Sequence, residues 1–312
     1  MDIEGAIEPD RFVFLHGHYD SWEVGVGDNG TGNACMLEVA RVLWQMRGKL
    51  RRPVRIARWP GHSTGRHGGS TWYLNAHAAD FAKRCIVQMN CDSPGCRLAT
   101  DYSAITMMPE TVEAVTALVE RVTGQKPAPK RPNRSSDYTF YNIGISGAFM
   151  ASSMMPGVEV EKQRLASRRG LRRQHCVAYR GRHMEVADRG VLSKDIALYL
   201  EAVLSFANAA ALPFDFRAAV NEISGVVDAY VRAAGHRLDL GPVARALEEL
   251  GGKVAAFHKS VAEGKIPSRT ANEAMRELSR ALVPLNYARD GPYEQDPPVT
   301  LPPVPLLSVA AI

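Results

Sequence analysis

The chain has 312 residues, of which 46% are hydrophobic and 23% are charged, a balance typical of a globular protein long enough for one large domain and a smaller one. No apolar run approaches the roughly 18 residues that a helix needs to cross a bilayer, and no two of the five cysteines form the CxxC pair of a thiolate zinc site. The formal charge of +5 comes from residues 162–182, which hold eight Lys or Arg and no acidic residue, so it does not support a nucleic-acid-binding surface.

Strand and helix patterns alternate through the first two thirds of the chain. Short apolar runs predict strands over residues 11–20, 52–59, 84–92 and 145–153. Apolar residues at helical spacing predict helices over residues 32–46, 70–83 and 109–124. This alternation indicates an α/β domain built around a largely parallel sheet.

Only helices are predicted after about residue 191. Their patterns cover residues 195–210, 218–234, 243–261 and 270–285. A proline-rich segment follows at residues 297–307, and we expect it to lie over the surface in extended form. We therefore predict two domains, residues 1–211 and a helical domain over residues 212–312, with the boundary near Leu212.

Residue types that bind metals lie close to the ends of two predicted strands. His18 and Asp20 stand two apart, so on a strand they share one face and the carboxylate can orient the imidazole. Asp28 precedes the first predicted helix and Asp92 ends the 84–92 strand, where sites form in open α/β sheets. One imidazole and two carboxylates suit zinc. Structural roles stay open for His18 as a hydrogen-bonded histidine, for Asp28 as a helix cap and for Asp92 as a turn residue.

Several stretches resemble one known family. GHYDSW and GVGDNGTGNACMLEVARVL resemble the first metal motif of the zinc aminopeptidases related to glutamate carboxypeptidase and the transferrin receptor. RIARWPGHSTGRHGGSTWY is similar to that family's second motif, and QMNCDSPG to its third. SSDYTFYNIGIS resembles a substrate-side segment, whose Asp137 and Tyr138 would contact the peptide. RELSRALVPLNYARDGPYEQDPP resembles the family's helical dimerisation domain, which implies a homodimer.

The resemblance implies a three-layer α/β/α sandwich of the zinc-exopeptidase type with a C-terminal all-helical domain. It also implies two zinc ions that share a bridging aspartate and activate a water molecule for attack on a peptide carbonyl. By position in the motifs, His18 and Asp92 would hold one zinc, and Asp28 would bridge the two ions. Asp20 would orient His18.

The second motif departs from the family pattern. Its usual form is W-x-x-E-E-x-G, in which the first glutamate is the general base and the second binds the second zinc. Between Trp59 and Gly65 this chain has His62 and Ser63 in the places of the two glutamates. His62 could accept a proton as the base, bind metal itself or only form hydrogen bonds. Because a neutral serine hydroxyl is a poor zinc ligand, we expect one zinc site and a weakened second one.

The basic segment lies where the family carries its last zinc ligand, a histidine in a W-H-T segment. Residues 170–183 read GLRRQHCVAYRGRH instead. Codons exist for residues 172–183 that, read one base further on, encode G-G-N-I-A-W-H-T-E-D-D-T, with the histidine at the position of Ala178. We hypothesise that residues 163–183 are a frame-shifted stretch; the alternative is a genuine basic loop that docks an acidic partner.

The sequence as a whole predicts a metal-dependent exopeptidase, aminopeptidase- or carboxypeptidase-like, that hydrolyses peptides with zinc-activated water. The change to His62 and Ser63 favours an alternative, a non-catalytic homologue that keeps the fold as a dimeric binding protein. Cyclising or deacylating chemistry on a related fold is a third reading, because fold does not fix reaction. Family members usually have further strands before the first metal motif, so we expect a longer parent protein, secreted or periplasmic, and leave the location open.

Overall fold

A five-stranded sheet forms the centre of the computed structural model, which describes residues 1–21, 24–132, 136–150, 153–162, 184–294 and 301–311. The strands are Asp2–Ile3 (β1), Phe12–His18 (β2), Val54–Trp59 (β3), Cys85–Asn90 (β4) and Gly147–Met150 (β5). Their order is β1-β3-β2-β4-β5, and all pairs are parallel except β1 with β3. The four strands expected from the apolar runs are therefore confirmed, and β1 is an additional edge strand.

Helices cover both faces of this sheet. They are Gly32–Gln45 (α1), His62–Gly65 (α2), Gly68–Arg84 (α3), Val112–Thr123 (α4), Gly157–Lys162 (α5) and Arg189–Asn208 (α6). α1, α4 and α6 pack on one face, whereas α3 packs on the other. The predicted three-layer α/β/α sandwich is thus confirmed.

The alternation of side chains along β2 separates the two layers. Val13 and Leu15 face α1 and α6, while Phe12 and Phe14 face α3. Every residue of β2 is buried, as expected for a central parallel strand covered on both sides. His18, the last residue of β2, therefore ends an apolar strand while pointing to the α3 side of the sheet.

Three further helices follow the sandwich: Phe216–Ala234 (α7), Gly241–Ala262 (α8) and Ser268–Tyr287 (α9). Buried residues of α7 belong to the same continuous apolar cluster as the sheet. On α9, the guanidinium of Arg280 donates to the carbonyl oxygens of Gly144 and Cys85, at 2.6 Å each. The predicted C-terminal helices are confirmed, and the domain boundary near Leu212 stays a prediction. Among the described helices, none combines the length and apolarity that a membrane span requires.

The sequence predicted a proline-rich segment extended over the surface, and in the described residues 301–311 this is wrong from Pro305 onward. Within the described residues 301–311, Pro305–Ala311 form a 3-10 helix that packs against α7. Val304 and Ala310 are 1% and 7% exposed, and Tyr230 donates its hydroxyl to the carbonyl of Pro303 at 2.7 Å. The prediction was wrong because it weighed the prolines and not the apolar side chains near them, of which Val304 and Ala310 gain by being buried.

Candidate metal centre

The carboxyl ends of two neighbouring strands, β2 and β4, bring the predicted metal-binding side chains to one edge of the sheet. His18 ends β2 and is fully buried. Asp92 follows β4 by two residues, and Asp28 lies in the short turn Val26–Thr31 that leads into α1. Parallel strands end at the same edge, so the fold places these three residues together.

The distances between their side-chain atoms match those around a zinc ion. His18 Nε2 lies 3.2 Å from Asp28 Oδ1 and 3.6 Å from Asp92 Oδ1. Ligand atoms at about 2.0–2.2 Å from a tetrahedral zinc stand about 3.3–3.6 Å from one another. Each carboxylate therefore lies at a ligand-to-ligand distance from His18 Nε2, and nitrogen and carboxylate oxygen are ligands that zinc accepts.

Asp20 contacts the other nitrogen of the same imidazole. His18 Nδ1 lies 3.0 Å from the carbonyl oxygen of Asp20 and 3.5 Å from its Oδ1. An acceptor at Nδ1 keeps a proton there, so that Nε2, which faces the carboxylates, is the nitrogen that would give up its proton to bind an ion. This contact supports the orienting role that the sequence suggested for Asp20.

His62 lies directly against His18. The two rings stack with their centroids 4.1 Å apart and their planes 16° from parallel. The side chain of His62 is 5% exposed. One possible ligand atom from each of His18, His62 and Asp92 lies within 4.8 Å of the other two. The guanidinium of Arg66 is 3.5 Å from His62 Nε2, at the outer limit of a hydrogen bond. His62 is thus part of the cluster around the predicted zinc position.

Ser63 is held at the turn after β3 through Asp20. Its backbone N–H donates to Asp20 Oδ2 at 2.8 Å, and its hydroxyl donates to the backbone carbonyl of Asp20 at 3.4 Å. The backbone N–H of His62 donates to Asp20 Oδ1 at 3.3 Å. The same carboxylate therefore contacts His18 and fixes the start of α2, the helix that carries His62.

Asp92 is ionised at neutral pH. Burial by itself would raise its pKa, but the hydrogen bond from His18 and the charges of His18 and His62 outweigh both burial and repulsion from Asp28. The pKa of Asp92 consequently lies below its usual value. An ionised carboxylate is the form that binds a cation.

The side chain of Asn29 connects the segments that carry these ligands, a role that the sequence analysis missed. Its amide donates to the carbonyls of His18 at 3.0 Å and Cys91 at 2.9 Å, while its Oδ1 accepts from the backbone N–H of Ser93 at 3.0 Å. A Cβ at Gly32 would lie 1.9 Å from Asn29 Oδ1, so only glycine fits there. The only sign of this role in the sequence is an asparagine inside the glycine-rich run GDNGTG.

Asp195 on α6 supports the loop after β4 and was also missed. Its fully buried carboxylate accepts from the backbone N–H of Gly95 at 2.7 Å and from the hydroxyls of Tyr102 and Ser153 at 2.8 Å each. One turn later, Tyr199 donates its hydroxyl to the carbonyl of Asn90 at 2.7 Å. An aspartate on the apolar face of a predicted helix was the sequence signal.

Beneath the centre, on the same face of β2, lies a second buried imidazole. His16 Nε2 is 2.8 Å from Oε1 of Gln88, and its ring stacks on Phe14 and Trp59. Burial lowers the pKa of His16 to about 3, which the hydrogen bond with Gln88 only partly opposes. His16 is therefore a neutral part of the aromatic layer under His18.

The remaining predicted residues lie outside what the structure describes. The backbone of Asp137 and Tyr138 belongs to the 3-10 helix Ser136–Tyr141, but their side chains are outside the description. Residues 163–183, with the frame-shift hypothesis and Ala178, are outside it entirely.

Comparison with known proteins identifies relatives of this chain. A probable glutamate carboxypeptidase of Arabidopsis thaliana is 24% identical over 309 residues, which cover 93% of this chain and 44% of the plant protein. Transferrin receptor protein 1 of Gallus gallus is 35% identical over 96 residues, 30% of this chain and 12% of that protein. The chain thus spans less than half the length of the curated relatives it matches.

A solved structure shares the fold, and a family model matches the sequence. A zinc aminopeptidase from Bacillus subtilis superposes with a TM-score of 0.51 at 21% identity, covering 66% of this chain and 49% of that one. The model of peptidase family M28 matches residues 1–164, more than half of the chain and the whole of the segment that carries His18, Asp28, His62 and Asp92. The chain therefore belongs to peptidase family M28.

Proposed function

We propose that this protein is a zinc-dependent exopeptidase, aminopeptidase- or carboxypeptidase-like. One observation carries the proposal: His18 Nε2 lies 3.2 Å and 3.6 Å from the carboxylate oxygens of Asp28 and Asp92, the separations of ligands that share a zinc ion. Membership of peptidase family M28 supports the same reaction class. The substrate class is a peptide with a free terminus.

The protein's own residues would bind and orient in this reaction. Bound zinc supplies Lewis-acid chemistry, polarising the scissile carbonyl and making water more acidic. His18, Asp28 and Asp92 would hold the ion, and Asp20 would fix the His18 ring through Nδ1. His62 stands beside them in the same cluster.

Hydrolysis of a defined peptide panel tests this function. The full chain, loaded with zinc, is given short peptides with both ends free, with an acetylated N-terminus or with an amidated C-terminus. We expect the peptides with both ends free to be cleaved. Either the acetyl group or the amide should prevent cleavage, and a metal chelator should abolish it. The His18→Gln variant should lose cleavage, whereas His77→Gln, at an exposed position on α3, should keep it.

Each other outcome has a defined meaning. A folded, zinc-loaded chain that cleaves no peptide contradicts the enzyme and favours the non-catalytic binding homologue. Cleavage that both blocked peptides also undergo contradicts an exopeptidase. Cleavage that survives the chelator contradicts dependence on metal.

The proposal includes a homodimer formed through the C-terminal helices. The support is the similarity of residues 276–298 to the dimerisation domain of the related aminopeptidases. On α9, Leu285 is 39% exposed, so part of an apolar surface remains accessible there. Light scattering on the protein as it leaves a size-exclusion column should give twice the chain mass of 34.1 kDa. A monomer at all concentrations contradicts the dimer.

A further inference from the structure

We propose that His62 is a metal ligand and that, with His18 and Asp92, it forms a single-ion site with two imidazoles and one carboxylate, in which His62 takes the place of Asp28 in the proposed ligand set. This inference rests on the proposed function, because it assigns a role within the same metal centre. It decides between the active roles that the sequence left open for His62, proton acceptor or ligand.

The backbone around His62 is fixed so that its ring faces His18. Asp20 accepts from the backbone N–H groups of both His62 and Ser63, at 3.3 and 2.8 Å, which anchors the first turn of α2. Gly61, just before it, has φ +83°, a conformation that glycine adopts without strain. The His62 ring is 5% exposed and stacks on His18 at 4.1 Å. The imidazole of His62 is therefore held inside the metal centre, against His18, and does not face the solvent.

The positions of the donor atoms favour a shared ion. Donor atoms of His18, His62 and Asp92 all lie within 4.8 Å of one another. Ligands of one zinc stand about 3.3–3.6 Å apart. The lone pair of each imidazole lies in its ring plane, so the stacked ring of His62 would also turn relative to that of His18 to direct a nitrogen at the same ion. Two histidines and a carboxylate, with the fourth position open, is a ligand set of catalytic zinc sites.

The neighbouring residue provides no ligand for a second ion. The Ser63 hydroxyl donates to the carbonyl of Asp20 at 3.4 Å, and a neutral hydroxyl binds zinc poorly. In the described part of the chain, His18, His62 and Asp92 form the cluster of histidine and carboxylate donors close enough to hold a metal. Asp28, 3.2 Å from His18 Nε2, adds a carboxylate at the rim of the same site.

Cobalt substitution tests this assignment directly, because a thiolate bound to Co²⁺ gives a sulfur-to-cobalt charge-transfer band. The full-length wild type, His62→Cys, Ser63→Cys and His62→Gln are each titrated with Co²⁺. Circular dichroism first shows which variants are folded. Ser63→Cys is the matched control, since it places a thiol one residue away from the proposed ligand.

We expect one Co²⁺ per wild-type chain, a new charge-transfer band in His62→Cys and no such band in Ser63→Cys. His62→Gln should weaken Co²⁺ binding by about 100-fold or more, because substitutions beyond the ligand shell already cost about 10- to 100-fold. His77→Gln should bind as the wild type does.

Three results would overturn the inference. Unchanged affinity in folded His62→Gln, with no new band in His62→Cys, removes His62 from the ligands and leaves the proposed exopeptidase intact. Two Co²⁺ per wild-type chain contradicts the single ion. A folded wild type that binds no Co²⁺ or Zn²⁺ contradicts the proposed function itself.

Discussion

Asn29 donates its side-chain amide to the backbone carbonyl of His18 at 3.0 Å, and so holds the end of the strand whose imidazole faces the metal position. The same side chain reaches Cys91, next to Asp92, and Ser93 beyond it. One buried amide thus sets the spacing between the ends of β2 and β4. The geometry of the centre depends on this neutral residue as well as on the charged ones.

Replacing Asn29 should damage both folding and metal binding. Asn29→Ala removes three hydrogen bonds and leaves buried backbone groups unsatisfied, so the free energy of unfolding should fall by about 3 kcal/mol. Zinc affinity should fall about 10- to 100-fold, as for other groups that orient ligands. Denaturant unfolding and zinc titration measure the two effects. Asn75→Ala, at an exposed position, is the control, and equal effects in both variants would contradict the role of Asn29.

Asp195 should prove essential for the loop that follows Asp92. In Asp195→Asn one oxygen becomes an NH₂ group that cannot accept, so either the bond from Tyr102 to Oδ1 or the bonds from Gly95 and Ser153 to Oδ2 are lost. We expect the free energy of unfolding to fall by about 1–3 kcal/mol. Asp228→Asn, on the exposed side of α7, should change it by less than about 0.5 kcal/mol. Denaturant unfolding compares the two. A loss no larger than that of the control would show that Asp195 is dispensable.

Glu110 should make folding less favourable as pH rises. Burial raises its pKa to about 7, from 4.5 for the exposed group, while the hydrogen bond from Ser146 opposes the shift. Between these two values the folded chain keeps a proton that the unfolded chain releases, so stability falls with rising pH through this window and is lowest above pH 7. The upper limit of the effect is about 3 kcal/mol.

The neutral variant Glu110→Gln should lack this dependence. The wild type should lose stability as the pH is raised from 5 to 8, so the free energy of unfolding of the variant should rise relative to that of the wild type. Glu120→Gln, an exposed change on α4, should show a constant difference from the wild type. A constant difference in Glu110→Gln as well would mean that Glu110 ionises normally in the folded protein.

His16 should stay neutral in the folded protein. Because burial lowers its pKa to about 3, its ring signals in an NMR titration should not move between pH 5 and 8. In the urea-unfolded chain the same residue should titrate near about 6.5. Below that pH the unfolded state binds a proton at His16 that the folded state does not, so the free energy of unfolding falls as pH falls. This pH dependence is opposite in sign to that of Glu110. A titration step near neutral pH in the folded state would contradict this.

The strands and their polar ends could be read from the sequence because the information is local. β2, β3 and β4 are apolar runs followed by polar residues, and the parallel arrangement then places His18 and Asp92 at one edge. The position of Asp28 just before the first predicted helix added the second carboxylate, and the resemblance added the position of His62. Each of these inferences depends on neighbours within a few residues.

The supporting contacts could not be read in the same way, because they join distant segments. Asn29 bonds a residue 62 positions away, and Asp195 one 100 positions away. No periodicity encodes such pairs. The tail was mispredicted for a related reason: whether its apolar residues are buried depends on the surface that α7 offers to them.

Zinc-edge anomalous diffraction from crystals grown with zinc tests the metal centre most directly. We expect one strong peak per chain, within about 2.0–2.2 Å of His18 Nε2, an Asp92 oxygen and a nitrogen of His62. A crystal with these side chains ordered and no anomalous peak between them would contradict the proposed zinc centre.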